Sequence, residues 1–241
     1  MATNPEKQHV SYVPADAQTL YPDEDGKPMA VSDLHRRELI WTLETLEAHF
    51  SHNPAVYISG DILMYYVEGS PNKSISPDVL VTFGIGQKLR RTYLVWEEGK
   101  APDFVMEFSS KNTYKNDLTG KMDIYASLKI QNYFLYDAEG LYLPSPLMGF
   151  ELVDGIYKAI PEDEYGGIRS TSLDLDFRLR DEGLGIYDPN TKEWVKTRAE
   201  AETMRADAAE ERAAQETIRA NNAEAEVAKL REQIERLQTR S

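Results

Sequence analysis

The sequence contains no cysteine and only four histidines. The absence of cysteine excludes disulfides, thiolate metal sites and a cysteine nucleophile, and it is typical of proteins from a reducing compartment. Four histidines leave little scope for a histidine-rich zinc site. The sequence also lacks any apolar run close to the roughly 18 residues that a membrane span needs, and its polar N-terminal stretch lacks the apolar core of a secretory signal. These features predict a cytoplasmic protein without a membrane partner.

Basic residues are scarce as well, because 27 Lys and Arg stand against 41 Asp and Glu and give a formal net charge of -14. Residues 192–241 hold 10 of the basic and 11 of the acidic side chains, so the preceding part holds 17 and 30 and carries a net charge of -13. A protein that coats phosphates without specificity would be basic. Any contact with nucleic acid is therefore expected to be local, through a few cations.

Neither glycine nor proline occurs after Pro189, where Ala, Glu, Arg and Gln dominate the sequence. That composition is typical of one long helix. The preceding sequence mixes apolar runs with turn residues, as a globular domain does. Composition therefore predicts a flexible N-terminal segment over 1–24, a globular domain over 25–190 and a helical tail over 191–241.

Apolar spacing within the globular part predicts helices over 32–50 and 116–128. Short β-branched or aromatic runs predict strands over 55–66, 78–83, 91–96, 104–108 and 132–137. Turn-rich segments after residue 140 predict hairpins that cover the sheet. This order predicts an α/β or α+β domain with a mixed central β-sheet flanked by helices.

Two Pro-Asp pairs open predicted strands, at Asp78 and at Asp103, and such pairs commonly mark only the start of a strand. Glu107 is more informative, because both faces of its strand are otherwise apolar. A buried acid can pair with a buried cation, or it can bind a divalent ion together with a second carboxylate. Asp78, at the start of another strand, is the natural second carboxylate.

Three residues share one face of the next predicted helix, namely Asp117, Lys121 and Tyr125. Asp117 and Lys121 could form a solvated i,i+4 pair that stabilises the helix by about 0.2–0.5 kcal/mol. Alternatively, Lys121 points into the same cleft as Asp78 and Glu107. The sequence leaves both interpretations open.

Three stretches, in this order, resemble a known family: SPDVLVTFG over 76–84, the run over 90–137 that contains APDFVMEFSSKN, and GFELVDGIYKAI over 149–160. They are similar to the Uma-two family of restriction-endonuclease-like proteins, which is placed in the PD-(D/E)XK nuclease superfamily. The resemblance covers roughly residues 25–190. It implies a restriction-endonuclease-like core with an Mg²⁺ site at the edge of the sheet, and hydrolysis of DNA phosphodiester bonds.

The resemblance also implies roles for individual residues. Asp78 matches the Asp of the PD motif and Glu107 the acid of the (D/E)XK motif, and with the backbone carbonyl of Phe108 they would bind Mg²⁺, or Mn²⁺ in its place. Ser109 stands where the superfamily has its lysine. The family pattern moves that lysine to the following helix, here Lys121, where it would orient water or offset negative charge.

Other polar residues could support this site or contact DNA. Glu38 could face the cleft from the first helix, although a solvated helix face explains it more simply, and Asp61 could support the site or belong to a turn. The candidate supporting residues are Glu38, Asp61, Ser109, Lys111, Asp117 and Tyr125, and Lys111 is a nearer substitute for the lysine. The candidate DNA contacts are Lys88, Arg90, Arg91 and Lys115, although a solvated loop explains the basic cluster equally well.

Apart from one glutamate, the tail carries apolar or small residues at alternating spacings of three and four, the pattern of a heptad repeat. The stripe consists of Ala206, Ala209, Ala213, Glu216, Ala220, Ala223, Val227, Leu230, Ile234 and Leu237. Because its small residues bury little area, we expect the helix to pair with a second copy as a parallel or antiparallel coiled coil. A single helix held by i,i+4 charge pairs is the alternative.

Three functional hypotheses follow from the sequence. The first is an Mg²⁺-dependent DNA endonuclease that uses Asp78, Glu107 and Lys121 and forms a homodimer through its tail. The second is a catalytically silent protein with the same fold, which binds nucleic acid or a protein partner and dimerises through its coiled coil. The third treats Glu107, Asp117 and Lys121 as a structural ion-pair network, which would need complete hydrogen bonding to offset its desolvation.

Overall fold

The computed structural model describes residues 21–22 and 32–238, without the side chains of residues 233, 237 and 238. The helices in this part of the chain are α1 (Asp33–His49), α2 (Val95–Glu98), α3 (Tyr114–Asp117), α4 (Gly120–Ser127) and α5 (Arg198–Gln238). The strands are β1 (Val56–Ser59), β2 (Met64–Tyr65), β3 (Ser74–Ile75), β4 (Val79–Phe83), β5 (Tyr93–Leu94), β6 (Phe104–Phe108), β7 (Asn132–Tyr136), β8 (Leu147–Val153), β9 (Ile156–Ala159), β10 (Ile168–Ser170), β11 (Leu175–Arg180), β12 (Gly183–Asp188) and β13 (Glu193–Trp194).

A six-stranded sheet forms the centre of the domain, in the order β1-β4-β6-β7-β8-β9. Strands β6 and β7 are parallel, and every other neighbouring pair in this sheet is antiparallel. The predicted mixed central sheet is therefore confirmed. The strand that carries Glu107 lies inside the sheet between β4 and β7, so its residues are shielded on both edges.

Two smaller sheets complete the domain. Strands β10 to β13 form an antiparallel sheet of four strands, and β3, β2 and β5 form a sheet of three. Of the predicted hairpins, β10–β11 and β11–β12 belong to this four-stranded sheet, which packs on the central one. The hairpin β8–β9 instead extends the central sheet at its edge, so the expectation that it covers the sheet is wrong. Gly149 in β8 allows close packing, because a Cβ there would lie 2.4 Å from Cγ2 of Ile168 in β10.

The alternation along β6 divides the core into two layers. Phe104, Met106 and Phe108 pack with α1 and the four-stranded sheet, where the rings of Phe104 and Phe177 stack at 5.5 Å. Val105 faces the other layer, which includes Tyr125 of α4. Glu107 shares that second face, so it points from an interior strand toward the helices that follow.

Three elements differ from the sequence expectation. The strand expected over 91–96 ends at Leu94, because the chain turns into α2, whose C-cap is Gly99 with φ +78°. The strand expected over 55–66 is interrupted after Ser59, where Asp61 has φ +52°. The helix expected over 116–128 begins at Tyr114 and is divided around Thr119, whose hydroxyl donates to the Lys115 carbonyl.

The predicted flexible segment over 1–24 lies outside the described residues except for Tyr21 and Pro22. The Pro22 carbonyl accepts a hydrogen bond of 2.6 Å from the Tyr65 hydroxyl. The Tyr21 ring lies 5.0 Å from that of Tyr65 and 5.1 Å from that of Trp96. These two residues therefore pack against the domain.

The long tail helix begins at Arg198 and is capped against the domain. The Thr197 hydroxyl accepts from the Glu200 amide, and the Glu200 carboxylate accepts from the Thr197 amide, which is a capping box. The other carboxylate oxygen of Glu200 accepts from the indole N–H of Trp41 in α1, at 3.1 Å. No helix in the described part of the chain is both long enough and apolar enough to cross a membrane.

Candidate active site

The candidate site begins where β4 and β6 lie side by side. Val79 pairs with Met106, which places Asp78 next to the end of β6. Oδ2 of Asp78 accepts a hydrogen bond of 2.6 Å from the backbone N–H of Phe108. The antiparallel register therefore fixes one oxygen of Asp78 beside the residue that follows Glu107.

Glu107 lies next to Lys121 of α4, with 2.8 Å between Oε2 and Nζ. The other oxygen, Oε1, accepts a hydrogen bond of 2.5 Å from the hydroxyl of Tyr125. Lys121 also lies 3.0 Å from Oδ1 of Asp117, and the Ser109 hydroxyl donates to Oδ2 of Asp117 at 2.9 Å. Strand β6, the residue Ser109 that follows it, and helices α3 and α4 thus bring these five side chains together.

Burial distinguishes this group from a surface ion pair. Glu107 and Asp117 are fully buried, and the side chain of Lys121 is 14% exposed. The interpretation of Asp117 and Lys121 as a solvated pair is therefore wrong. The i,i+4 contact of Asp117 with Lys121 is kept across the break between α3 and α4.

The site holds acidic side chains that are removed from water and surround one cation, Lys121. Burial, followed by the charge of Glu107, raises the pKa of Asp78 well above its ordinary value. Burial raises the pKa of Glu107 and the charge of Lys121 opposes that rise. Burial disfavours the charge of Lys121, but Glu107 and Asp117 hold its pKa above its ordinary value. A further cation beside Asp78 and Glu107 would therefore favour the ionised form of both carboxyl groups.

The interruption after β1 brings a further acid to the site. A Cβ on Gly60 would lie 2.2 Å from the carbonyl oxygen of Asp78, so only glycine permits this approach. The next residue, Asp61, has a left-handed backbone and donates its N–H to the Pro77 carbonyl at 3.0 Å. Asp61 is exposed, and its charge is among the factors that raise the pKa of Asp78, after burial and Glu107.

The donor set can be tested for its fit to a divalent cation. No cluster of three or more His, Cys, Asp or Glu side chains suited to a metal occurs in the described part of the chain. Mg²⁺, however, is usually held by one or two carboxylates and completes its shell with water and phosphate oxygens. Oδ1 of Asp78 receives no hydrogen bond from the described residues, and Oε2 of Glu107 contacts only the Lys121 ammonium among them. Oδ1 of Asp78 is thus available to such an ion, whereas Oε2 of Glu107 would bind it in place of, or beside, the Lys121 ammonium.

A family model described as "putative restriction endonuclease", Uma2, matches residues 16–180. The chain belongs to this family. The resemblance to the Uma-two family is thereby confirmed, and family membership supports an enzyme of nuclease type.

Several solved chains are also similar to this one. One of them is described as a putative nuclease belonging to DUF820 from Anabaena variabilis ATCC 29413. The two share 13% sequence identity, and the similarity covers 62% of this chain and 80% of the other, with a TM-score of 0.46. No curated protein matches the chain.

Glu38 of α1 has contacts of a different kind from those of the Lys121 cluster. It is buried, and Oε2 accepts 3.0 Å from the Leu184 amide in β12 and 3.5 Å from the hydroxyl of Tyr136. A Cβ on Gly183 would lie 2.4 Å from the same oxygen. The solvated helix face expected for Glu38 is therefore wrong, and its hydrogen bonds join α1 to the four-stranded sheet through Leu184 and to the central sheet through Tyr136.

The basic residues proposed for DNA contact have varied surroundings. The Arg90 side chain is 2% exposed, makes two hydrogen bonds of 2.8 Å to Glu98 and lies 4.0 Å above the Tyr57 ring. This geometry favours a structural role for Arg90. Lys88 lies 3.1 Å from Oε1 of Glu98 and is largely exposed. The exposed cations among the candidates also include Arg91, Lys111 and Lys115.

Sequence reasoning missed Tyr133 of β7. Its hydroxyl donates to the Asp117 carbonyl at 2.9 Å, and its ring centroid lies 5.1 Å from that of Tyr125. Tyr133 therefore holds the end of α3 against the sheet. Its position in an apolar strand gives no sign of this contact, because the partner is a backbone carbonyl whose place depends on the turn between α3 and α4.

Proposed function

We propose that this protein is an Mg²⁺-dependent endonuclease that hydrolyses DNA phosphodiester bonds, with Asp78, Glu107 and Lys121 as its working residues. The observation that carries the proposal is the buried contact of 2.8 Å between Lys121 and Glu107, beside the carboxylate of Asp78, the residue before β4. An acid pair with an adjacent lysine is the set of groups that the family resemblance implies. Lys121 supplies that cation from α4, while Ser109 occupies the position two residues after Glu107.

Each of the three residues has a chemical task that its contacts support. Asp78 and Glu107, with the Phe108 carbonyl, would hold the ion, and Mg²⁺ or Mn²⁺ bound there supplies polarisation of the scissile phosphate and a more acidic water. Tyr125 fixes one oxygen of Glu107 and leaves Oε2 directed at Lys121. The Lys121 ammonium is then positioned to orient a water or to stabilise negative charge on the phosphate.

Asp117 acts on the chemistry through Lys121. Its Oδ1 lies 3.0 Å from the ammonium, and its Oδ2 is held by Ser109. A long lysine side chain would otherwise sample many rotamers, and ordering it in advance reduces the entropy lost on reaching the transition state. Ser109 therefore supports the displaced lysine.

The charge of the domain limits how it would bind DNA. A net charge of -13 over the first 191 residues repels a polyanion, so the contacts would be made through the bound ion and exposed cations such as Lys111, Lys115 and Arg91. We expect weak binding that falls steeply as salt is added.

A second candidate is a catalytically silent protein of the same fold. The contacts that favour it are those of Lys121, because a lysine held between Glu107 and Asp117 also compensates the charge of the buried acids, as it would in a structural ion-pair network. Such a protein would keep the fold and bind nucleic acid or protein without cutting.

A cleavage screen over duplex, single-stranded and branched DNA, with RNA beside it, tests the proposal. Reactions contain Mg²⁺, Mn²⁺ or a chelator, and they compare the natural chain with Asp78→Asn and Glu107→Gln. The matched controls are Asp123→Asn and Glu97→Gln, which alter exposed acids outside the site. We expect metal-stimulated cleavage by the natural chain and both controls, and none by the two site variants.

Binding of Mn²⁺, measured by electron paramagnetic resonance, separates the remaining outcomes. Metal binding that needs Asp78 and Glu107 but yields no cleavage of any substrate would support the silent protein. Absence of both metal binding and cleavage in a folded chain would leave the structural ion-pair network. Cleavage that persists in Glu107→Gln would overturn the assignment of the site.

A further inference from the structure

Helix α5 leaves the domain and exposes large apolar side chains. It has 41 residues, which corresponds to a length of about 60 Å. Val227, Leu230 and Ile234 are 48%, 52% and 54% exposed. An isolated helix with half-exposed aliphatic residues of this size gains little from tertiary packing, so a partner helix is needed to bury them.

The type of residue at each heptad position indicates the kind of partner. When the seven positions of the heptad are lettered a to g, Val227 and Ile234 occupy position a, and Leu230 occupies position d between them. β-branched residues at a with leucine at d favour two parallel strands, because their side chains fit the knobs-into-holes geometry of a parallel dimer. The occupant that matches this face is therefore an identical helix.

Charges beside the stripe agree with a parallel pair in register. In that arrangement a residue at g faces the residue at e five positions later in the other helix. The oppositely charged pairs formed in this way are Arg205 with Glu210, Arg219 with Glu224, and Glu226 with Arg231, each with one member on either copy. Over residues 205–238, no residue at g faces a residue of the same charge at e in the other helix.

An antiparallel pair would match the two helices less well. With the stripe in full overlap, Leu230 would face Ala213 and Val227 would face Glu216. The large apolar residues would then bury themselves against small or charged ones. Parallel pairing instead packs each large apolar residue against the same residue of the other copy. Its unfavourable feature is that Glu216 then faces Glu216 of the other copy.

We propose that a second copy of this chain covers α5 as a parallel, in-register two-stranded coiled coil. The capping contacts among Thr197, Glu200 and Trp41 join the start of α5 to the domain. Both globular domains therefore lie at the same end of the coil. The pairing goes beyond the proposed nuclease activity and does not depend on it.

The absence of cysteine allows a direct test with single-cysteine variants of the full chain. Ala209→Cys places a thiol at a d position near the start of the stripe, and Ala225→Cys places one at an outward f position. Both substitutions replace an exposed alanine of the same helix. In a parallel pair the two thiols at 209 come within disulfide range, whereas those at 225 do not.

After mild oxidation we expect most of Ala209→Cys, and little of Ala225→Cys, to migrate as a dimer on non-reducing gels. Sedimentation of the natural chain should give twice the monomer mass. An antiparallel pair would separate the two copies of residue 209 by roughly 25 residues of helix, or about 37 Å. A dimeric mass without a disulfide at 209 would overturn the parallel arrangement, and a monomeric mass would overturn pairing altogether. Circular dichroism of each variant verifies that α5 remains helical.

Discussion

Nζ of Lys121 lies 2.8 Å from Oε2 of Glu107, in a region where the carboxylate is fully shielded from solvent. Removing two charges from water costs several kcal/mol for each ion, and their mutual attraction offsets that cost only with close contact and further hydrogen bonds. Tyr125 and Asp117 provide those further contacts. The stability of this part of the fold therefore depends on the same groups as the proposed chemistry.

Replacing Lys121 by methionine should destabilise the protein by about 3–5 kcal/mol near neutral pH, because it leaves buried carboxylates without their cation. The loss should be smaller in acid. Without Lys121 the folded-state pKa of Glu107 rises further, so the penalty is absent below the unfolded pKa and grows as pH increases through the folded value. Urea denaturation between about pH 4 and pH 7 measures this dependence.

Lys115→Met is the matched control, since Lys115 is an exposed lysine on the neighbouring helix α3. It should change stability by no more than about 0.5 kcal/mol at any pH. An equal loss of stability in both variants would show that Lys121 has no special electrostatic role.

Asp78→Asn should abolish metal-stimulated cleavage and stabilise the fold. Asparagine keeps an oxygen that can accept from the Phe108 amide, but it removes a charge that burial and Glu107 disfavour. A gain of about 1 kcal/mol would correspond to an increase in Tm of about 2–4 °C for a chain of this size. Calorimetry beside Asp123→Asn provides the comparison, and a lower Tm for Asp78→Asn alone would argue against a disfavoured charge.

Glu38→Ala should reduce stability without removing catalysis. The substitution leaves the buried Leu184 amide without its acceptor, which costs about 1–3 kcal/mol. We expect the rate of cleavage per folded molecule to equal that of the natural chain at a temperature well below both Tm values. A stable Glu38→Ala variant that no longer cleaves would instead assign Glu38 to the active site.

Arg90→Met should lower stability by about 3–5 kcal/mol near neutral pH, because Arg90 and Glu98 form a buried pair. The hydrogen bond from Arg90 lowers the pKa of Glu98. That pair therefore stabilises the fold above the unfolded pKa of Glu98 and ceases to do so as pH falls through the folded value. Melting curves between about pH 7 and pH 3 should show a flatter acid dependence in Arg90→Met. The exposed Arg36, paired with Asp33, offers Arg36→Met as a control that should leave the curve unchanged.

The sequence predicts the parts of the site that depend on local periodicity. Alternation along 104–108 is sufficient to place Glu107 on a buried face, and i,i+4 spacing is sufficient to place Asp117 beside Lys121. Contacts that depend on packing between distant elements were not predictable. The hydrogen bond from Leu184 to Glu38 spans 146 residues, and the buried pair of Arg90 with Glu98 needs a helix where β-propensity favoured a strand.

The same limit explains the interruption at Gly60. β-branched and aromatic residues on both sides favour one continuous strand, whereas the Asp78 carbonyl that approaches Gly60 belongs to another part of the chain. Local composition therefore predicts the strands and their faces, whereas the positions at which a strand is interrupted depend on tertiary contacts.

The hydrogen bond between Trp41 and Glu200 also determines where the chain can be shortened. A truncation after Asn190 would remove β13, the capping box and the acceptor of the indole N–H, and it would uncover the end of the four-stranded sheet. A chain that ends after Met204 keeps all three and omits the heptad stripe. Crystallisation or enzymology of the isolated domain should therefore begin with the longer boundary, since aggregation of the shorter one would reflect an exposed sheet edge.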